Sequence, residues 1–144
     1  MAVAMYDAVD DLKTMLTTDW NGTGQGGAVP NIREAWIVKA VGLIDDNTDE
    51  IILTPLDEFI QYFALYGLNH LHHIPILIDI RTFTEMTRHE QVVKEIARIV
   101  KLNIRRAPTG FIDVLLGYSK SYNVDYRNMF RHTLDVTYRK LDPT

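Results

Sequence analysis

Three histidines lie close together, directly before the most apolar segment of the chain. His70, His72 and His73 precede this segment, Asp79 lies near its end, and His89 is not far away in sequence. Imidazole nitrogens ligate zinc and related ions. In an extended strand, His70 and His72 share a face while His73 points to the other, so at most two could bind one ion. The helical HExxH pair that could complete such a shell does not occur. We therefore predict a polar start to a buried strand, with no metal and no cofactor.

A carboxylate near a strand end suggests a second kind of chemistry. Asp79, with Glu85 nearby, resembles the acidic positions of metal-dependent nucleases. Such a site needs a further carboxylate on the next strand, and the neighbouring segments offer mainly Asp113. Asp79 and Arg81 would project from one strand face, where they could pair with each other or with a neighbouring subunit. The sequence favours this pairing and no catalytic residue, and a small nuclease or resolvase that uses Asp79 stays as the alternative.

Residues 21–27, NGTGQGG, have the glycine density of a phosphate-binding loop. A Walker loop ends in Gly-Lys-Ser/Thr, and a dinucleotide fingerprint follows a strand and begins a helix. Here a predicted helix precedes the glycines, and Ala28-Val29-Pro30 follows them. The segment therefore predicts a flexible surface loop.

Charge is distributed unevenly along the chain. Residues 1–60 hold three basic and eleven acidic residues, a net charge of −8. Residues 61–100 are balanced, and residues 101–144 hold eight basic and four acidic residues, a net charge of +4. A dedicated nucleic-acid binder is normally basic overall, whereas this chain has a formal net charge of −4. Complementary ends instead favour identical chains that pack head to tail.

The residues that we predict at such an interface are charged or aromatic. Lys101, Arg105 and Arg106 end a predicted helix, whose carbonyl end attracts cations, so capping is their local alternative role. The predicted interface residues are Asp79, Arg81, Arg105, Arg106, Tyr122, Tyr126, Arg127, Arg131 and Arg139.

Hydrophobic periodicity predicts two helices. The first covers residues 4–18. Its apolar face consists of Met5, Val9, Leu12 and Leu16. The second begins at Thr87, with Glu90 three residues on as in a capping box, and must end before Pro108.

Strand patterns occupy much of the remaining sequence. Residues 32–55 predict a β-hairpin with its turn at 45–49, and the aromatic segment 58–68 favours a strand over a short helix. Ile74–Ile80 is apolar on both faces and predicts a central strand, with Pro75 at its start or at an edge. Two last strands are predicted at 111–118 and 133–139.

This order of elements predicts an α+β fold. The sheet is mostly antiparallel, and the N-terminal helix and a second long helix pack on one face. Residues 1–144 form a single domain, with flexible loops near 19–31 and 119–130.

Composition narrows the class of protein. The absence of cysteine excludes a disulfide framework, a thiolate metal site and a cysteine nucleophile. Hydrophobic residues at 47% and charged residues at 24% exclude a disordered tail and a coiled coil. The first residues lack the basic start of a signal peptide, and no segment approaches the ~20 apolar residues of a membrane span. We therefore expect a cytoplasmic protein, or one assembled in a cytoplasm.

The order of several segments and the kinds of residue in them resemble those of a known protein family. The sequence has an N-terminal helix, the glycine-rich loop, Val29-Pro30-Asn31-Ile32, the strand HHIPILIDIR at 72–81, a long helix and the strand RHTLDVTY at 131–138. Over most of the chain, this arrangement is similar to the tail-terminator and neck (tail-completion) proteins of tailed viruses.

The resemblance implies a virion structural protein without enzymatic activity. Proteins of this family form a ring, typically a hexamer, at the junction of head and tail. The implied partners are further copies of the chain, the tail tube protein, and the head connector or portal-adaptor proteins. DNA would pass through the lumen without specific binding, and no membrane is involved. The implied location is the neck or tail of the virion, assembled in the host cytoplasm.

Overall fold

The computed structural model describes residues 4–24, 26–37, 49–62, 69–83, 85–105, 111–124 and 129–143. The elements in chain order are helix α1 (Ala4–Asp19), strands β1 (Asn31–Glu34), β2 (Glu50–Pro55), β3 (Phe59–Tyr62) and β4 (Asn69–Thr82), helix α2 (Met86–Leu102), and strands β5 (Asp113–Val124) and β6 (Met129–Pro143). The predicted α+β class is confirmed.

The described strands form one sheet with the order β1-β2-β4-β6-β5, and β3 also pairs with β4. Only β1 and β2 run parallel, and every other pairing is antiparallel. The predicted central strand is therefore confirmed as β4, which pairs with β6 on one side and with β2 and β3 on the other.

The predicted hairpin within residues 32–55 is correct only in its second strand. That strand is β2, but its partner β1 runs parallel to it, with Asn31 opposite Glu50. A parallel pair needs a connection of about a dozen residues or more, and the interval between β1 and β2 allows one. Trp36 and Ile37, predicted as strand, lie in the turn after β1. Residues 38–48, including most of the predicted turn, lie outside the described part of the chain.

Pro75 lies inside β4 rather than at its start. On one side of β4, β3 pairs with His70–His73 and β2 pairs with Ile76–Arg81, so Pro75 lies opposite the junction between them. Its carbonyl accepts a hydrogen bond from Leu56 N at 2.9 Å on that side. In an antiparallel pair the N–H and C=O of a residue point the same way. The donor that proline lacks therefore faces an interruption in the ladder.

The predicted loop at 119–130 is wrong for its described residues. β5 continues to Val124 and β6 begins at Met129, and these two residues are opposite each other in the register. Residues 125–128 lie outside the described part. The segment 119–124 has no apolar alternation, so its strand carries no hydrophobic signal and is defined by backbone pairing. The strand predicted within 58–68 is confirmed over Phe59–Tyr62, and residues 63–68 are not described.

Both helices cover the same face of the sheet, as predicted. Tyr138 on β6 donates to Asp11 of α1, and Thr82 on β4 contacts His89 of α2. Between them lies a core that is almost inaccessible to solvent, including Leu12, Ile51, Ile74, Ile76, Ile78, Ile80, Val92, Ile96, Ile99 and Val136. The capping box predicted at Thr87 is wrong, because α2 begins at Met86 and its N-cap residue Glu85 makes no side-chain capping bond. Neither described helix has the length and hydropathy of a membrane span.

Candidate functional site

The sheet surface opposite the helices carries ion pairs in place of a second hydrophobic layer. Alternation along the strands places every second residue on this surface. We call it the charged face, and define it by Arg33, Glu50, Asp79, Arg81, Asp113, Arg131 and Arg139.

Asp79 is the centre of the largest cluster on the charged face. Arg131 on β6 donates from Nε to Oδ1 at 2.9 Å and from Nη2 to Oδ2 at 3.1 Å, a bidentate pair. Arg81, two residues along β4, donates to Oδ2 at 3.0 Å. The predicted pairing of Asp79 with Arg81 is therefore confirmed. Bidentate, charge-assisted contacts of this kind are shorter and stronger than neutral hydrogen bonds.

The cluster continues across β2 to the edge strand. Arg81 Nη1 lies 3.9 Å from Glu50 Oε1, and Arg33 Nε on β1 donates to Glu50 Oε2 at 3.3 Å. Charges of alternating sign thus cross four neighbouring strands, from Arg33 to Arg131. Opposite charges on adjacent strands stabilise the pairing of those strands.

A second cluster lies near the other end of the same face. Arg139 on β6 holds Asp113 on β5 through Nε to Oδ1, at 2.7 Å, and through Nη2 to Oδ2. The hydrogen bonds to Asp113 raise the pKa of the Arg139 guanidinium above its ordinary value. His73 is opposite Arg139 in the register, stacks on Phe59 with ring centroids 4.3 Å apart, and contacts Gln61 Oε1 through Nε2 at 3.0 Å.

The two kinds of charge differ in their access to solvent. The side chains of Glu50, Asp79 and Asp113 are 6%, 7% and 11% exposed, whereas those of Arg81, Arg131 and Arg139 are 32–33% exposed. The carboxylates therefore lie beneath the guanidinium groups. A partner that approaches the charged face meets cations first, although the ion pairs nearly cancel.

The structure brings only some of the predicted interface residues together. Asp79, Arg81, Arg131 and Arg139 share the charged face. Arg105 is exposed after the end of α2, where its backbone bridges Asp113. Tyr122 lies on β5 opposite Arg131, and its side chain is outside the described part. Arg106, Tyr126 and Arg127 also lie outside the described residues.

The histidines are distributed over both faces of the sheet. His70 and His72 lie on the helix-facing side, with ring centroids 5.1 Å apart, and His73 lies on the charged face. His89 is on α2, where Nδ1 lies 2.8 Å from Thr82 Oγ1. Within the described ranges, no group of three or more metal-ligating side chains converges. The predicted division of the histidines between two faces is confirmed.

The surroundings of Asp79 disfavour the nuclease alternative. Catalytic carboxylates of metal-dependent nucleases direct oxygens toward cations that they share with the substrate. Both oxygens of Asp79 instead accept hydrogen bonds from arginines of the same chain. Asp113, the predicted second carboxylate, is bound to Arg139 at the other end of the charged face.

The glycine-rich segment is bound to α2 by two charged side chains that the sequence analysis did not single out. Glu95, fully buried, accepts from Asn21 N at 3.2 Å and from Arg98 Nε. Arg88 donates to the carbonyls of Gly26 and Ala28 and pairs with Asp49 at 3.2 Å. Glu95 lies on the apolar side of α2, between Val92 and Ile96. A charged residue on the apolar side of a helix indicates a buried polar contact, and this was the feature of the sequence that could have identified Glu95.

Gly26 is a position where a side chain would not fit. A Cβ there would lie 2.8 Å from Glu95 Cγ and Oε2 and 2.8 Å from Trp20 Nε1. We expect Gly26→Ala to lower the free energy of unfolding by about 1–3 kcal/mol, the usual cost of overpacking. The matched control is Gly22→Ala, whose Cβ would meet an ordinary contact at 3.6 Å. Urea unfolding of both variants measures the difference, and equal stabilities would contradict close packing at Gly26.

The surroundings of two histidines on the helix-facing side favour the neutral form of the imidazole ring. His89 and His132 have ring centroids 5.9 Å apart, and burial is the main cause that lowers the pKa of each below the ordinary 6.5. For His89, the charge of His132 lowers the pKa further, while Glu90 and Asp49 raise it.

These lowered pKa values predict a loss of stability in mild acid. Near pH 6.5 the unfolded chain takes up protons that folded His89 and His132 do not, so stability is full above that pH and declines as the pH falls toward the folded pKa values. We expect the Tm to fall between pH 7.5 and pH 5.5. His89→Gln combined with His132→Gln should flatten that dependence, and an unchanged slope in this variant would contradict the assignment.

The described elements define an α+β protein with two helices on one face of a mostly antiparallel sheet and ion pairs on the other. Among solved structures, a chain from the virion of a native gene transfer agent particle shares this fold, with a TM-score of 0.57 and 10% sequence identity. The match covers 91% of this chain and 92% of that chain. Neither the family models nor the curated protein sequences gave a match.

Proposed function

We propose that this chain is a structural protein of a tailed-virus-like particle and forms a ring at the head-tail junction, as a tail terminator or neck (tail-completion) protein. The supporting observation is the similarity in fold to a chain of the gene transfer agent virion, which extends over nine-tenths of both chains. Because almost no part of either chain lies outside the match, it concerns the whole fold rather than a common substructure.

The charged face agrees with a structural role. Its carboxylates are held by arginines of the same chain, an arrangement that fixes the sheet rather than one that leaves acids available for catalysis. We propose that the protein has no enzymatic activity. Its partners would be further copies of itself, six in one ring, together with the tail tube and head connector proteins.

The ring would surround a passage for DNA. The chain carries a formal net charge of −4, which opposes tight, nonspecific binding to phosphates. DNA would therefore pass through the lumen without specific contacts, and the protein would reside in the neck or tail of the virion after assembly in the host cytoplasm.

Electron microscopy and light scattering of the purified full chain test this proposal. We expect rings of six copies, and we expect the assembled fraction to fall as salt rises because part of the interface would be charge-complementary. A monomer at every salt and protein concentration, both alone and after co-expression with a tail tube protein, would contradict the proposed function.

A further inference from the structure

An aromatic groove lies where α1 meets the end of β1. It has a volume of about 570 Å³ and is lined by Tyr6, Asp10, Glu34, Trp36 and Ile37. The Tyr6 and Trp36 rings meet edge to face, with centroids 5.0 Å apart. These two side chains and Ile37 are 46–48% exposed. Large aromatic side chains at half exposure are typical of binding surfaces.

The rim of the groove is acidic. Asp10 lines the groove, and Asp7 is its neighbour on the surface of α1, three residues earlier. Both are exposed, and within the described residues neither forms an ion pair. Glu34 is bound to Lys13 at 3.1 Å. Burial raises the pKa of Glu34, but hydrogen bonds from its own backbone amide and from Lys13 lower it below the ordinary value. At neutral pH, the groove therefore presents the negative charge of the two aspartates around an aromatic floor.

A ridge of opposite character follows the end of α2. Leu102 and Ile104 are 68% and 42% exposed, and they lie between Lys101 and Arg105, which are also exposed. In the described part of the chain neither cation has an ion-pair partner. The ridge thus combines apolar side chains with positive charge, and the groove combines aromatic side chains with negative charge.

The groove and the ridge lie at opposite edges of the sheet. The groove is formed next to β1, one end of the strand order, whereas Ile104 O accepts from Val114 N of β5, the other end, at 2.8 Å. Four strand spacings separate these edges, about 19 Å. The groove and the ridge of one chain are therefore too far apart to contact each other. They are placed for contact between successive copies.

We propose that the ridge of one copy (Lys101, Leu102, Ile104 and Arg105) docks in the aromatic groove of the next copy. Leu102 and Ile104 cover the Tyr6 and Trp36 rings, and Lys101 and Arg105 meet Asp7 and Asp10. Such an interface uses different surfaces on the two partners, so it is heterologous and repeats around a ring. The inference rests on the proposed function, because it supplies the contact by which the ring would close.

Cysteine cross-linking tests the contact directly, because the natural chain has no cysteine. Full-length protein carrying both Ile37→Cys and Leu102→Cys should form a ladder of disulfide-linked species that ends at the closed ring. The matched controls are the two single variants, which should stay uncross-linked. Dimers of a single variant would instead indicate a two-fold symmetric contact and overturn the proposal.

Charge exchange provides an independent test. Asp7→Lys with Asp10→Lys should raise the protein concentration needed for half-assembly by about tenfold or more, as should Lys101→Glu with Arg105→Glu. Combining all four substitutions should restore assembly. All four positions are exposed, so circular dichroism should match that of the natural chain. Asp7 lies in the first turn of α1 and Lys101 in the last turn of α2, so reversing these charges opposes the helix dipoles and should lower the Tm slightly.

The outcomes separate this inference from the proposed function. Rings that form normally in both charge-reversed variants would overturn the docking contact and leave the proposed ring intact. A natural chain that never assembles would overturn the ring itself, and with it the contact.

Discussion

Replacing Asp79 with alanine lowers the free energy of unfolding by about 2–3 kcal/mol, because two arginines lose the carboxylate that binds them. Arg131 makes a bidentate pair with Asp79 at 2.9 and 3.1 Å, and Arg81 adds a contact at 3.0 Å. Breaking a fully buried pair costs about 3–5 kcal/mol. The expected loss is smaller because both guanidinium groups are about one-third exposed, so water restores part of their solvation.

Asp135→Ala is the matched control for Asp79→Ala. Asp135 lies opposite Leu77 on the same face of the sheet, and the structure gives it no ion pair within the described residues. Its replacement should change the unfolding free energy by no more than about 0.5 kcal/mol. Urea unfolding of the two variants provides the comparison. Equal losses would mean that the arginines do not depend on Asp79 and that the cluster adds nothing to stability.

The hydrophobic half of the fold could be predicted from the sequence. Ile74, Ile76, Ile78 and Ile80 recur with the period of a strand, and all four lie in the core. The apolar face of α2 follows the period of a helix in the same way. Periodicity reports burial, so it identifies elements that have a buried face. It does not identify residues 119–124, whose sequence has no apolar alternation and whose strand is defined by its backbone ladder.

The partners of the charges could not be predicted, because they depend on strand register. Arg131 and Arg139, two of the predicted interface residues, bind Asp79 and Asp113 of their own chain, and no local pattern in the sequence indicates these pairs. Those aspartates lie 52 and 26 residues away in sequence. The parallel pairing of β1 with β2 was missed for a similar reason, since local turn residues carry no information about a distant return of the chain.

Charges that form no ion pair within the described residues, beside the groove and on the ridge, still follow the gradient along the sequence. Asp7 and Asp10 belong to the acidic first part of the sequence, and Lys101 and Arg105 belong to its basic last part. In the fold they lie at opposite sheet edges, beside the groove and on the ridge. The sequence therefore predicted that the two ends could attract, and the topology determined which charges remain accessible to do so.

Replacing Glu95 with alanine should lower the unfolding free energy by about 3 kcal/mol. Its fully buried carboxylate accepts from Asn21 N at 3.2 Å and from Arg98 Nε, so the change leaves both of these donors without their acceptor. Glu95→Gln keeps an acceptor for Asn21 and should cost about 1–2 kcal/mol. Glu90→Ala, at an exposed position on the same helix, is the control and should stay within about 0.5 kcal/mol.

Combining Glu95→Ala with Gly26→Ala determines whether the glycine-rich segment is seated on α2 through this carboxylate. Two of the three atoms that a Cβ at Gly26 would approach belong to Glu95, and the third is Trp20 Nε1. Removing the Glu95 side chain should therefore relieve most of the clash, so the double variant should be more stable than the sum of the two single losses by about 1 kcal/mol. Additive losses in urea unfolding would mean that the two positions do not touch. The segment would then owe its position on α2 to Arg88, which holds the carbonyls on either side of Gly27.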